Sequence, residues 1–492
     1  NQCLWESSLQ ARMLLPFFCW EKQVIEEGDY SSFHLQAQWE ALHGLIGSLE
    51  KRGIVSRVVH GNIVEQLELL YTKMPFALLY SHQETGNLIT YRRDIAVKEW
   101  CRVHGVKWME LKQNSVLRGG DADRRRLKLR QTDYRKQKPL GIPDLSHLQK
   151  LPEQIEKKGP TWRQLTSCFH KFYGLGQSSK LIKVNERAAW ASIDSFFEER
   201  GIGYAGGISS PNTAFINGSR LSSHLAWGTI SLRAIFNCLD QRRELKMNSE
   251  DRAKWNRSLR AFESRLFWRD HFIQRLEAFP ELEKKALNSA YADLRYEDDP
   301  DKLDAWVKGE TGYPMIDACM RCLGETGFLN FRMRAMVVSF ACYGLHLSWK
   351  TIHKPLARLF HDYEPGIHLS QLQMQAGVIG FNTIRVYSPT KQFLDHDPEG
   401  NFVKKWVPEL KNHTNVEIAE VEKSKIEGYS PPIVDLSIRS REMKSRVFEI
   451  RKSVSGKEIT KRVLAKHGSQ KSSTRNKRKS EKKGQMTLFK TL

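Results

Sequence analysis

Five consecutive residues, Gly218, Ser219, Arg220, Leu221 and Ser222, are of the types that can hold an anion. Glycine and serine carry little bulk, so backbone N–H groups can approach a ligand, and a guanidinium stands among them. Beyond them Leu221, Leu225 and Ile230, with Trp227 between, fall at helical spacing and predict a helix from Leu221 to Arg233. The first N–H groups of such a helix have no intrahelical partner, and the helix dipole favours negative charge there. An ordinary capped helix has the same sequence, so the turn alone does not separate phosphate binding from structure. Cys319 and Cys322 form a C-x-x-C with no second pair at metal spacing, and are expected to be thiols of a helical core.

The run GSRLSSHLAWGTIS, Gly218–Ser231, resembles the flavin-phosphate loop of the photolyase/cryptochrome family. The resemblance continues through TGYPMIDACMRCLGETG (Thr311–Gly327), RMRAMVVSF (Arg332–Phe340) and YSPTKQFLDHDPEGNFVKKWVPEL (Tyr387–Leu410). It implies bound FAD. Tyr204 and the loop from Gly218 to Ser222 then stand near the flavin phosphates, with Arg220 and Arg269 as diphosphate partners. Arg334 and Asp362 fall where the family sets an arginine–aspartate pair against the isoalloxazine ring. Glu364 replaces a family aspartate, keeping the charge on a longer arm. An ion pair with a purely structural role is the plain alternative for each.

The elements that must position these residues divide the chain into four spans. In 1–112, apolar runs at Leu14–Trp20, Ile54–Val59, Phe76–Tyr80 and Val106–Leu111 read as strands. Helical patterns at Tyr30–Lys51, Ile63–Tyr71 and Tyr91–His104 alternate with them, as in βαβ units with a parallel sheet. The resemblance makes this span an α/β, Rossmann-like antenna domain that binds a second, light-harvesting chromophore of folate or deazaflavin type. The family's opening strand is missing from it, which suggests a truncated start. Glu84 lies near the family's antenna-contacting acid, or is a surface loop acid. Residues 113–183, with the basic run Arg118–Lys138 and four prolines after it, read as an inter-domain connector whose charges face solvent. Residues 184–410 are helical in pattern and form the expected all-α FAD-binding domain. Residues 411–492 are read as a basic, mostly disordered tail, since low hydrophobicity and high charge do not offset ordering entropy.

Laid against the pyrimidine-dimer photolyases of the family, the lesion pocket is altered. Their glutamate, asparagine and methionine positions fall on Arg265, Phe331 and Ala335. One stacking tryptophan falls on Met374, and Trp268 keeps the other. An arginine cannot accept the hydrogen bonds that thymine offers. It can contact phosphate or stack on a base. The family's tryptophan relay falls on Leu372, Trp349 and Tyr296, which leaves an aliphatic side chain nearest the flavin. The residue facing flavin N5 falls on His368, either a proton donor or a hydrogen-bonded core histidine.

The chain of 492 residues carries 78 Lys and Arg against 56 Asp and Glu, a net charge of +22 that favours a polyanionic partner. No apolar run reaches the roughly 18 residues that a membrane span requires, and no signal pattern opens the chain. A cytoplasmic, nucleoid-associated bacterial protein is expected, or a nuclear or organellar one if the source is eukaryotic, where KRKSEKK would serve as a nuclear signal. A monomer is expected. Gln485, Leu488 and Phe489 in the run QMTLF resemble the pentapeptide that docks on bacterial sliding clamps. The leading expectation is a light-driven, FAD-dependent enzyme that repairs UV lesions in DNA, with His368, Arg265 and Trp268 at the lesion. The alternative is a cryptochrome-like blue-light receptor without repair activity.

Overall fold

A computed structural model describes residues 1–120, 124–156, 180–423 and 426–467. The N-terminal part alternates β1 (Phe17–Glu21), α1 (Ser32–Glu50), β2 (Arg57–Gly61), α2 (Ile63–Lys73), β3 (Leu78–His82), α3 (Leu88–Val103) and β4 (Lys107–Leu111). The strands pair in parallel, as the alternation with helices requires, but in two separate ladders. β1 pairs with β2, Cys19 opposite Val59, and β3 pairs with β4, Tyr80 opposite Met109. Asn62 and Asn87 cap α2 and α3 by accepting backbone N–H groups from their first turns.

Basic residues then cross to the helical part. The run from Arg118 to Lys138 does not simply face water. Arg118 pairs with Asp94 and, at 3.3 Å, with Glu110. Arg135, on α4 (Arg124–Arg135), pairs with Asp240 and, at 2.7 Å, with Glu263. Acidic residues distant in the sequence claim these arginines, which a local reading of charge could not foresee.

The helical part is organised around α8 (Ser249–Ala278), which follows α5 (Glu186–Glu198), α6 (Ser222–Ala226) and α7 (Leu232–Glu244). Trp255, Leu259, Phe262 and Leu266 recur along α8 at helical spacing and are buried. A second and larger core gathers α9 (Pro314–Thr326), α10 (Phe331–Tyr343), α11 (Trp349–Leu359) and α12 (Pro365–Gln375). Cys319 and Cys322 are buried on α9, where burial pushes the Cys322 thiol up to about 11.

Two expectations are corrected. The helix expected from Leu221 to Arg233 is broken into α6 and α7, because Gly228 adopts φ +71° and Ser231 caps the new helix through Ala234 N–H. The folded domain also does not stop at residue 410. α13 (Leu436–Lys452) buries Met443 and Val447 in the large core, and Tyr313 O–H donates to Val434 O at 2.8 Å. α14 (Val454–His467) is held by Asn288 Nδ2 donating to Thr460 Oγ1 at 2.9 Å. A few apolar residues at i, i+4 suffice to dock a helix whose overall composition is polar. Among the described residues no helix is long and apolar enough to cross a membrane.

Candidate functional site

A cavity of about 530 Å³ opens between α6, α8, α10 and α12. It brings together residues that lie up to 171 positions apart in sequence, from Tyr204 to Gln375. All ten residues expected to hold the flavin line it: Tyr204, the loop Gly218 to Ser222, Arg269, Arg334, Asp362 and Glu364. His368, Arg265 and Trp268 line it too.

The loop is shaped by constraint on both sides. Arg220 takes φ +60°, a left-handed conformation uncommon for a side chain with a Cβ. Its Nε donates to Phe215 O at 2.8 Å and its guanidinium lies 4.3 Å over the Phe215 ring. Behind the loop Arg200 donates to the carbonyls of Gly218 and Ser192, the latter at 3.0 Å. Arg200 escaped the sequence reading, since nothing in its local pattern marks it as a brace for residues 18 positions away.

On the opposite wall Arg334 Nη2 donates to Asp362 Oδ2 at 2.9 Å, and Arg334 Nε donates to Leu329 O at 2.7 Å. Burial raises the Asp362 carboxyl, but the Arg334 charge outweighs it and holds the group ionised, below its ordinary range. Glu364 accepts from Arg269 Nη2 at 2.9 Å. Burial pushes its carboxyl up and Arg269 opposes the rise. Thus Arg334 is already matched by Asp362, and Arg269 by Glu364 and, at 3.7 Å, by Asp270. Arg220 and Arg265, among the described residues, have no carboxylate within ion-pair distance.

At the far end the wall turns aromatic. Trp268 stacks on Phe272 with centroids 5.5 Å apart and is 38% exposed, while Phe331 is 49% exposed beneath the Arg265 guanidinium at 5.8 Å. Ala335 and Met374 complete that end. His368 stands deeper. Its Nε2 lies 3.2 Å from His353 O, which can only accept, so Nε2 carries the proton and Nδ1 is an acceptor. Burial lowers the imidazole well below its ordinary range and keeps it neutral.

The residues fit an FAD. Asp362 Oδ1, Asn330 Oδ1 and Gln371 Oε1 are buried acceptors without a protein partner, and their residues line the cavity. A flavin offers imide and amine N–H donors to such acceptors, and its diphosphate suits cations not already matched by carboxylates. Asn330 and Gln371 were not recognised in the sequence, where an isolated amide carries no signal.

Other expected residues fall elsewhere. Leu372 lines the cavity, but Trp349 and Tyr296 do not. Trp349 is 3% exposed in the large helical core, and Tyr296 packs against the same core with its hydroxyl buried. Glu84 accepts from Arg93 Nη2 at 3.0 Å in the N-terminal part. Gln485, Leu488 and Phe489 lie outside the described residues.

The FAD-binding domain of DNA photolyase matches residues 262–449. A deoxyribodipyrimidine photo-lyase of Thermus thermophilus is 32% identical over 236 residues, covering 47% of this chain and 53% of that one. The chain spans about half the length of the curated relatives it matches first. Among solved structures, an archaeal photolyase from Sulfolobus tokodaii with two FAD molecules superposes with a TM-score of 0.76 at 23% identity, covering 91% of this chain and 96% of that one. A cryptochrome from Synechocystis superposes with a TM-score of 0.76 at 19% identity, covering 90% and 95%. Over residues 262–449 the chain is thus similar to the FAD-binding domain of DNA photolyase, and its fold is that of the photolyase and cryptochrome structures.

Proposed function

We propose that the protein is a light-driven, FAD-dependent enzyme of photolyase type, a carbon–carbon lyase that acts on UV pyrimidine lesions in DNA. The observation that carries this reading is a single cavity joining the phosphate-loop cations, the Arg334–Asp362 pair and an exposed aromatic mouth. A base inside the duplex cannot reach such a depth, so the substrate nucleotide enters flipped out. Trp268 and Phe331 offer it ring faces, and the Arg265 guanidinium can stack on it or meet a flanking phosphate. When bound, the flavin supplies light absorption and the electron that reaches the lesion. Ser219 and Arg220 hold its phosphates, and Arg334 with Asp362 keeps its ring wall charged yet net neutral. Leu372 and Phe360 keep water from that wall. His368, protonated at Nε2, accepts a hydrogen bond at Nδ1 and thereby orients the group it meets, instead of giving it a proton.

The chain-wide excess of positive charge supports DNA as partner, and the sequence of Gln485–Phe489 supports docking on a sliding clamp through Gln485, Leu488 and Phe489. The archaeal relative with two FAD molecules supports a second chromophore in the N-terminal part. One observation favours a second reading, a cryptochrome-like receptor: at the mouth Arg265, Phe331 and Ala335 stand where a dimer pocket is expected to have its carboxylate, amide and thioether, and Met374 where it is expected to have a second stacking ring. The deciding experiment is repair of an oligonucleotide carrying one defined lesion, cyclobutane or (6-4), by the reduced protein in blue light against dark. Light-dependent loss of either lesion is expected. Protein that carries FAD and clears neither lesion is a receptor.

A further inference from the structure

Leu372 cannot relay an electron, yet the cavity has a redox-capable phenol in another wall. Tyr363, between the two carboxylates Asp362 and Glu364, lines the cavity and is 5% exposed. Its hydroxyl donates to Asp29 Oδ2 at 2.8 Å, and Asn87 Nδ2 donates to the same oxygen at 2.8 Å. Asp29 is 1% exposed and belongs to the N-terminal part, so the pair bridges the two halves of the molecule. Removing an electron from a phenol makes its O–H strongly acidic, so a phenol is a competent donor only where a base already holds that hydrogen. Asp29 is such a base. Burial raises its carboxyl, which strengthens it as a proton acceptor, and burial with the Asp29 charge holds the Tyr363 phenol protonated at rest.

A path also leads from Tyr363 to the surface. The His34 ring stacks on Tyr363 with centroids 5.6 Å apart and an interplanar angle of 24°. The indole of Trp227 lies 5.6 Å from His34 at an interplanar angle of 38°. Trp227 is half-buried, and its Nε1 donates to His361 O at 2.8 Å. Electron tunnelling decays exponentially with the gap between orbitals, so rings in van der Waals contact outcompete any route through aliphatic packing. Trp349 and Tyr296, by contrast, have no ring contact with any cavity residue among the described aromatic pairs.

We propose that Tyr363, with Asp29 as its base, is the electron donor by which light reduces the oxidised flavin in this protein, and that Trp227 refills it across His34. This rests on the cofactor reading above. In the forward step Tyr363 gives one electron to the photoexcited oxidised flavin, its O–H bond breaks and the proton passes to Asp29 Oδ2. In the return step Trp227 gives one electron to the tyrosyl radical and Asp29 returns the proton to the phenolate oxygen. The indole radical cation at the surface is then reduced by a small thiol in solution, which is oxidised towards its disulfide.

The test is time-resolved absorption and electron paramagnetic resonance of FAD-loaded protein under blue light with a small thiol, in wild type, Tyr363→Phe, Asp29→Asn and Trp227→Phe. Incorporation of ring-deuterated tyrosine identifies the radical. Wild type is expected to show a neutral tyrosyl radical followed by a tryptophan radical. Tyr363→Phe should lose both. Asp29→Asn should lose the neutral tyrosyl signal, and Trp227→Phe should keep it while losing thiol-driven accumulation of reduced flavin. Wild-type radical signals in Tyr363→Phe would overturn the assignment. A tryptophan radical that survives Trp227→Phe and vanishes in Trp268→Phe would overturn it too. Should Tyr363→Phe fail to retain FAD, Trp227→Phe decides alone, because Trp227 lies outside the cavity. FAD content of the wild type, measured separately, tells failure of this route from failure of the cofactor reading.

Discussion

Lowering the pH from 7 to 5 should destabilise the protein through His34, and the structure sets the size of the effect. His34 sits on α1 with 0% exposure. Its Nδ1 accepts the Ser31 N–H at 3.2 Å, and its Nε2 donates to Phe360 O at 2.8 Å. Both ring nitrogens are thus committed to one neutral tautomer, and protonating Nδ1 would break the capping bond of α1. Burial accordingly lowers the imidazole from 6.5 to about 4, with the Phe360 carbonyl opposing the shift. Between these two values the unfolded chain binds a proton that the folded chain refuses, so stability rises with pH there and is lost on acidification. Linkage gives a loss of about 2 kcal/mol from this one histidine between pH 7 and pH 5. The perturbation is His34→Gln, whose amide can accept from Ser31 and donate to Phe360 without titrating. Urea unfolding followed by tryptophan fluorescence at both pH values should show the wild type losing about 2 kcal/mol more than the variant. Equal losses in the two proteins would refute the tautomer argument.

Three further outcomes are expected. Arg220→Ala should lower FAD occupancy of the purified protein, read from its flavin absorbance against protein content; unchanged occupancy removes Arg220 from the phosphate site. Asp362→Asn should leave Arg334 without its carboxylate in the cavity wall. Breaking a buried pair costs about 3 kcal/mol, less here because Arg334 keeps a quarter of its side chain in water. Unfolding of the flavin-free protein checks this, and an unchanged midpoint would show that Asp362 gains nothing from Arg334. Deleting residues 485–492 should abolish capture by a sliding clamp while leaving FAD content unchanged, and clamp capture by the truncated protein would end the docking hypothesis.

What the sequence made legible follows from how far apart cause and effect lie along the chain. The strand and helix order of the first 111 residues is written in local periodicity, and the structure keeps it within a few residues at each end. The cavity lining was legible through motifs that are local runs, such as Gly218–Ser222 and the residues around Asp362. Illegible were the features made by tertiary closure. Arg200 braces a loop 18 residues on, Arg135 pairs with Glu263 across 128 positions, and Asn330 and Gln371 join the cavity lining with amide oxygens buried and without a hydrogen-bond partner. The extent of the folded helices was misread for a related reason. The mean composition between residues 411 and 467 is polar, while Met443 and Val447, with Leu436 and Ile450 packed beside them, dock α13 on the large core.

The segment Phe360–Glu364 shows why the two halves of the molecule cannot be treated as independent. Its residues divide between two sets of partners. Phe360 O accepts from His34, and Tyr363 O–H donates to Asp29, so two of its five residues hold the N-terminal part. Asp362 pairs with Arg334 and Glu364 with Arg269, so the other charged groups form the cavity wall. His361 N–H donates to Gly327 O and its carbonyl accepts Trp227 Nε1, which pins the segment between the ends of α9 and α6. Five residues in extended contact cannot shift one set of partners and keep the other. Occupancy of the cavity therefore favours the docked arrangement of the N-terminal part, and docking favours occupancy by the same factor, as linkage between two binding equilibria demands.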